Sequence, residues 1–229
     1  MLPLFRWLFA NAVAAIAEPR CTGCDGPVPL ETVFCGACGA SIEKVPGARV
    51  ALPRGESVVP LISPFVYGGA VRDGIVRFKY GKRDDLARPL GALLLRGRRA
   101  ILAHVPEAVV PVPVHPKRLA ERGFDPAALI ARELARGLEL PLVVDGLAKV
   151  RPTLAQASLG KEGRLTNLEG AFVVPASRAA RLRGVRVLLV DDVRTTGATL
   201  AACREALTHA GAEVVVEAVV AFAEAAPGP

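Results

Sequence analysis

The 229-residue chain has no apolar run approaching the roughly 18 residues a membrane span needs, so no transmembrane helix is expected. Aromatic residues make up only 5%. That is too few for a platform on which nucleic-acid bases stack in succession, so any nucleic-acid contact should be electrostatic, with weak sequence preference. Negative charge is also short, with 22 Asp and Glu against 29 Lys and Arg, a formal net charge of +7. What is present, 52% hydrophobic and 22% charged residues, describes a globular chain of one main domain with an appendage.

The basic excess is uneven. Residues 1 to 60 hold 5 Lys/Arg and 5 Asp/Glu, leaving 24 against 17 for the rest, and residues 61 to 99 alone hold 9 against 3. Such a surface favours polyanionic partners, either nucleic acid or phosphorylated small molecules. In "AVRDGIVRFKYGKRDD", Arg72, Arg77, Lys79, Lys82 and Arg83 fall on or just after one expected helix and form a candidate nucleic-acid-binding face. A solvated helix face is the alternative reading.

The N-terminus, "MLPLFRWLFANAVAAIAEPRC", carries an apolar run from Trp7 to Ala17 and an Ala15-Ile16-Ala17 triplet that resembles a signal-peptidase site. A packed apolar helix is the preferred reading, with a targeting segment as the alternative. Four of the five cysteines follow as Cys21-x-x-Cys24 and Cys35-x-x-Cys38. Two such pairs at this separation match a tetrahedral four-thiolate zinc site with no open position for substrate, hence a structural one. Two disulfides, the alternative, require an oxidising compartment. So short a segment cannot build a core of its own, whereas zinc contributes on the order of 10–16 kcal/mol of apparent binding energy. Cys203 stands apart as a small core residue.

The expected organisation is residues 1–45 for helix and knuckle, 46–60 for a Gly- and Pro-rich linker, and 61–229 for the main domain. Strands are read at "LISPFVYGG", Ala108–Val114, "LPLVVDGLAKV", "GAFVV", Gly184–Val190 and "EVVVEAVVAF", with helices between them. "HPKRLAERGFD" reads as a polar turn. The alternation implies an α/β fold, an open, mainly parallel sheet with flanking helices.

The chemistry is concentrated in "VLLVDDVRTTGATL". Asp191 and Asp192 close a strand at the end where such sheets gather ligands. Thr195, Thr196, Gly197, Ala198 and Thr199 then form a turn into a helix N-terminus, whose N–H groups and dipole favour an anion. The loop suits a phosphate. The acids would repel that phosphate, so they suit vicinal hydroxyls or a metal on the same ligand, which together describe a phosphorylated ribose.

This stretch resembles the phosphoribosyl pyrophosphate (PRPP) signature of type I phosphoribosyltransferases. Together with the four cysteines, "RFKYGKRDDLARPLG", "VPVPVHPKRLAERGFDPAALIAREL" and "RPTLAQASLGKEGRLTNLEGAF", it resembles the ComF family, associated with natural competence and the uptake of single-stranded DNA. The resemblance spans nearly the whole chain. It implies a phosphoribosyltransferase-like fold in which Asp191 and Asp192 meet the ribose hydroxyls, Thr195 to Thr199 the 5-phosphate, and Lys117 and Arg118 the pyrophosphate with magnesium. Acceptor specificity would lie in a hood around residues 61 to 83, where no aromatic pair or acid announces a base.

Two functions follow from that resemblance. One is a PRPP-binding protein of DNA uptake, with single-stranded DNA and other uptake proteins as partners. The other is a salvage enzyme that transfers phosphoribose to a small nitrogenous acceptor. The compartment implied is the cytoplasm, where PRPP and reduced thiols coexist.

Overall fold

The computed structural model describes residues 19–50, 59–151, 168 and 170–223. The N-terminal apolar run, most of "RPTLAQASLGKEGRLTNLEGAF" and the tail after residue 223 lie outside the described residues.

Helix α1 (Gly36–Ala40) starts directly after Cys35 and carries Cys38 of the second cysteine pair. Strand β1 (Arg49–Val50) lies within the stretch expected as a linker, yet it pairs antiparallel with β2 (Leu61–Ile62) as an edge of the sheet. After β3 (Phe65–Val66), helix α2 (Gly69–Tyr80) ends at Gly81, and α3 (Ala87–Leu94) and α4 (Arg98–Leu102) complete the helical region.

Strand β4 (Ala108–Pro111) stops short of the expected Val114. Pro111 and Pro113 have no N–H to continue a ladder. The expected polar turn is instead a helix, α5 (Pro116–Arg122). Pro116 occupies its first turn, where a missing N–H costs nothing. The His115 side chain caps it by accepting from the Lys117 N–H at 3.2 Å, and Gly123, at φ 87°, ends it. In α6 (Pro126–Leu138), Ile130, Leu134 and Leu138 form a stripe four residues apart that faces the core.

Strands β5 (Ala148–Lys149) and β6 (Phe172–Val173) pair antiparallel as a separate ribbon. Helix α7 (Ala176–Leu182), strand β7 (Arg186–Arg194), helix α8 (Ala198–His209) and strand β8 (Glu213–Phe222) follow.

The main sheet runs β1-β2-β8-β7-β4, with β3 also on β8, and every pairing except β1–β2 is parallel. Such sheets are covered on both faces, and two apolar clusters do this. Leu188 and Val190 enter one with α2, α3 and α6; Val187 and Leu189 enter the other with α8 and the β5–β6 ribbon. Successive strand residues alternate faces, and this alternation governs the two acids that follow.

Candidate functional site

Strand β7 runs on past Val190 through Asp191 and Asp192 to Arg194, still paired with β8. The acids are therefore inside the strand and not at its end. Strand β4 stops at Pro111, opposite Val190, so on that side the acids face a notch with no neighbouring strand. The alternation of faces sends Asp192 toward α2 and Asp191 toward α8.

Asp192 is buried at 4% exposure and meets Lys79 of α2, with Nζ to Oδ1 at 2.8 Å. Burial opposes the Lys79 charge, but attraction from Asp192 and Asp191 outweighs it and pushes the ammonium pKa up. Asp191 is half-buried, and its Oδ1 accepts from the Asp192 N–H at 2.8 Å. Burial, then repulsion from Asp192, raise its pKa well above the ordinary carboxylate range, against the pull of Lys79.

Three residues that the sequence did not single out also belong to this region: Asp125 and Lys149 near the pair, and Arg194 beneath the loop that follows. Asp125 caps α6 through the Ala128 N–H at 3.1 Å and accepts from the Val114 N–H at 2.9 Å, tying the turn after β4 to that helix. Burial raises its pKa, with Asp192 contributing. Lys149 lies over the Phe172 ring, 5.2 Å from its centroid. Burial and then the nearby Arg118 charge lower its pKa, and Asp191 counteracts them. Arg118 and Asp191 thus both act on Lys149. Arg194, only 5% exposed, lies beneath the loop at Gly197, where a Cβ would come within 2.8 Å of its Nε. Asp125 was legible as Asp-Pro before a helix, a capping signature; Lys149 had no local signal.

The loop after β7 is built as its residues suggest. Thr195 and Thr196 are exposed, the Thr196 hydroxyl oxygen sits 3.5 Å from the Ala198 N–H, and Gly197 at φ 79° caps α8. That left-handed conformation favours glycine. Thr199 lies in the first turn of α8, and Lys117 and Arg118 are exposed at the start of α5. The arrangement combines a helix N-terminus suited to an anion with a carboxylate pair already partly neutralised by a buried ammonium.

The four cysteine sulfurs lie within 4.8 Å of one another, with no disulfide among them. Cys24 Sγ is 3.8 Å from Cys35 Sγ. A tetrahedron of Zn–S bonds of about 2.3 Å has edges of about 3.8 Å, so the cluster is compatible with zinc. Burial disfavours ionisation of the Cys21 thiol, but backbone N–H groups around it prevail and bring its pKa down to about 6.

The knuckle rests on α2. Arg77 Nη1 donates to the carbonyls of Cys21, Thr22 and Gly23 at 3.2–3.4 Å, and Asp25 pairs with Arg77 and Arg83 at 2.7 Å each. Gly74 admits Thr22, whose Cγ2 would lie 2.7 Å from a Cβ there.

These contacts engage three of the five cations expected to form a nucleic-acid-binding face on α2. Arg77 and Arg83 hold the knuckle, Arg83 also pairs with Asp85, and Lys79 faces the acids. Of the five, only Arg72, beside Asp73, and Lys82 are exposed. A cation packed between two elements of its own chain is not presented to a polyanion.

Residues 120–228 match the phosphoribosyl transferase domain. Competence protein F of Haemophilus influenzae is 30% identical over 203 residues, 85% of this chain and 86% of that protein. The DNA utilization protein YhgH of Escherichia coli K12 is 27% identical, over 93% of this chain and 95% of its own length. Adenine phosphoribosyltransferase of Corynebacterium jeikeium is 37% identical over 110 residues, 48% of this chain and 50% of that protein.

Proposed function

The chain belongs to the Competence protein F family and carries a phosphoribosyl transferase domain; from that premise we propose that it binds PRPP at the β7–α8 turn and acts in the handling of imported single-stranded DNA. The observation that carries this reading is the sequence of features along one connection. Asp191 and Asp192 open onto the notch beyond β4, and Thr195 to Thr199 lead directly into the N-terminus of α8.

In this reading the loop and the first turn of α8 hold the 5-phosphate by backbone N–H groups and threonine hydroxyls. Asp191 and Asp192 accept from the ribose hydroxyls. Lys79 keeps Asp192 from repelling the phosphates, which answers the difficulty of placing two acids in a site for a polyanion. Lys117 and Arg118 neutralise the pyrophosphate, with Lys149 near Arg118 adding positive charge on the same side. Magnesium, when bound, supplies further neutralisation of the pyrophosphate oxygens. Zinc in the four-cysteine cluster is structural, and residues 1–45 and 61–229 act as knuckle and catalytic-type domain. In this reading the protein acts in the cytoplasm, where PRPP and reduced thiols coexist.

Calorimetry tests the site. Asp191→Asn with Asp192→Asn, or Thr196→Val, should weaken magnesium-dependent PRPP binding in a protein that still unfolds cooperatively, by about 10- to 150-fold for each contact to a charged group that is lost at about 1.5–3 kcal/mol. Unchanged affinity removes the assignment. The salvage reading predicts pyrophosphate release from PRPP that depends on an added base and is indifferent to single-stranded DNA.

A further inference from the structure

With Arg77, Lys79 and Arg83 engaged internally, the question is where a polyanion would meet this chain. A cavity of about 750 Å³ lies on the β1–β2 side of the sheet, the side away from β4. Among the described residues its lining includes Lys44, Arg49, Arg96 and Arg99, and no Asp or Glu. All four side chains are exposed, and none has a carboxylate partner among the described residues.

The cavity is built from two parts of the chain that tertiary contacts fix together. Lys44 and Arg49 flank a tight turn in which Gly47 and Ala48 have φ of 61° and 56°. That turn is bound to the β2–β3 region by Val45 N–H to Pro64 O at 2.9 Å and Ser63 N–H to Ala48 O at 2.8 Å. Arg96 comes from the helical turn leading into α4, and Arg99 from the first turn of α4 itself. The turn before α4 lies so close to β2 that a Cβ at Gly97 would be 2.7 Å from Ile62 Cγ2. Arg96 lies over the buried Phe65 ring, 5.8 Å from the centroid.

Bringing four unpaired cations into one concavity is electrostatically unfavourable in isolation, and the low-dielectric walls concentrate the resulting potential. Phosphates are the complement such a groove fits: guanidinium groups bind them in a fork, and Lys as a point charge. From this juxtaposition we infer that the Lys44/Arg49/Arg96/Arg99 groove binds the phosphate backbone of single-stranded DNA. This rests on the DNA-handling reading and moves its site to the sheet edge away from the PRPP loop. A flexible strand can bend its phosphates into a concavity of this size, whereas a rigid duplex touches only the rim. Phe65, 1% exposed, is covered and cannot stack on a base, so binding is indifferent to sequence.

The test is fluorescence anisotropy of the full chain with an oligodeoxythymidine and an oligodeoxycytidine, from about 50 to 200 mM salt. The parent should bind both alike, with a log–log salt slope of about −0.7 per phosphate neutralised. Replacing Lys44, Arg49, Arg96 and Arg99 by Ala should weaken binding at least about tenfold and flatten the slope by about two to three units. The double variant Lys44→Gln, Arg99→Gln should show about half that flattening. Arg72→Ala with Lys82→Ala should leave the slope unchanged, and PRPP affinity and the thermal midpoint should be those of the parent in every variant. A quadruple variant that binds as the parent does overturns the groove and leaves the DNA reading standing. A parent that binds no single-stranded DNA overturns both. Equal affinity for duplex overturns the choice of single strands, and a parallel loss of PRPP binding makes the effect one of folding and overturns the groove.

Discussion

Lys79→Met removes the cation paired with Asp192 while keeping a side chain of similar length. Two carboxylates then remain adjacent on β7, Asp192 at 4% exposure and Asp191 raised in pKa by burial and by its neighbour. Removing one member of a buried ion pair costs about 3–5 kcal/mol, because the other is left uncompensated. The lower end applies here, since the Lys79 side chain keeps 24% of its surface in water. A loss of about 3 kcal/mol in a chain of this size lowers the thermal midpoint by about 6–12 °C.

The loss should also depend on pH, with a definite sign. Asp191 binds its proton more tightly in the folded than in the unfolded chain, so ionising it costs stability as pH rises from the unfolded value of 3.8 toward the raised folded one. Lys79 is one of the charges that restrains this rise. Without it the pKa climbs further, and the deficit relative to the parent should be larger at neutral pH, where Asp191 is more fully ionised, than at about pH 4. Urea unfolding of Lys79→Met and Lys82→Met at both pH values measures it. Lys82 is exposed, and its variant should stay within about 0.5 kcal/mol of the parent. Equal, pH-independent midpoints for the two variants would show that the Lys79–Asp192 contact does not hold this site together.

The remaining predictions concern the knuckle. Metal analysis should find one zinc per chain, and Cys38→Ser should lose it. Arg77 would then lose its three carbonyl partners, so the midpoint should fall by about 4–8 °C, for about 2 kcal/mol, with the main domain still folded; an unchanged midpoint would mean the knuckle contributes nothing to α2. Gly74→Ala, which elsewhere in a helix would stabilise by about 0.5–1 kcal/mol, should instead destabilise by about 1–3 kcal/mol, because its Cβ meets Thr22 at 2.7 Å. Thr22→Val should be neutral or stabilising by chemical denaturation, since the buried Thr22 hydroxyl has no hydrogen-bond partner among the described residues. Arg83 and Arg77 hold the Asp25 pKa down to about 2 from 3.8. Its contribution is therefore complete above about pH 4 and lost as pH falls toward about 2, so Asp25→Asn should cost about 1 kcal/mol, after solvent screening, at about pH 6 and almost nothing near about pH 2.

Much of this protein was written in short spacings. Cys-x-x-Cys twice over depends on residues that are neighbours in the chain, and the sulfurs duly converge. The apolar run before Asp191, the Thr-Gly turn and the helix after it form one connection, so its place beside a parallel sheet follows from local pattern and the habits of such sheets. Local chemistry was misread where proline and capping acted together, at β4 and α5, where β7 ran on through the two acids, and where β1 formed within the expected linker.

Tertiary structure alone decided which charges meet. A basic run on a helix gives the faces of its side chains but not what packs against them. Lys79 finds Asp192, 113 positions away, because α2 lies over the face of β7 to which even-numbered residues point. Arg77 and Arg83 find Asp25 because the knuckle is seated on that same helix. Lys44 and Arg49, on either side of the start of the stretch that reads as linker, share a cavity with Arg96 and Arg99 through the β1–β2 pairing and the close approach at Gly97. Charge pairing acts through space over a few ångströms, and only the folded chain sets those distances.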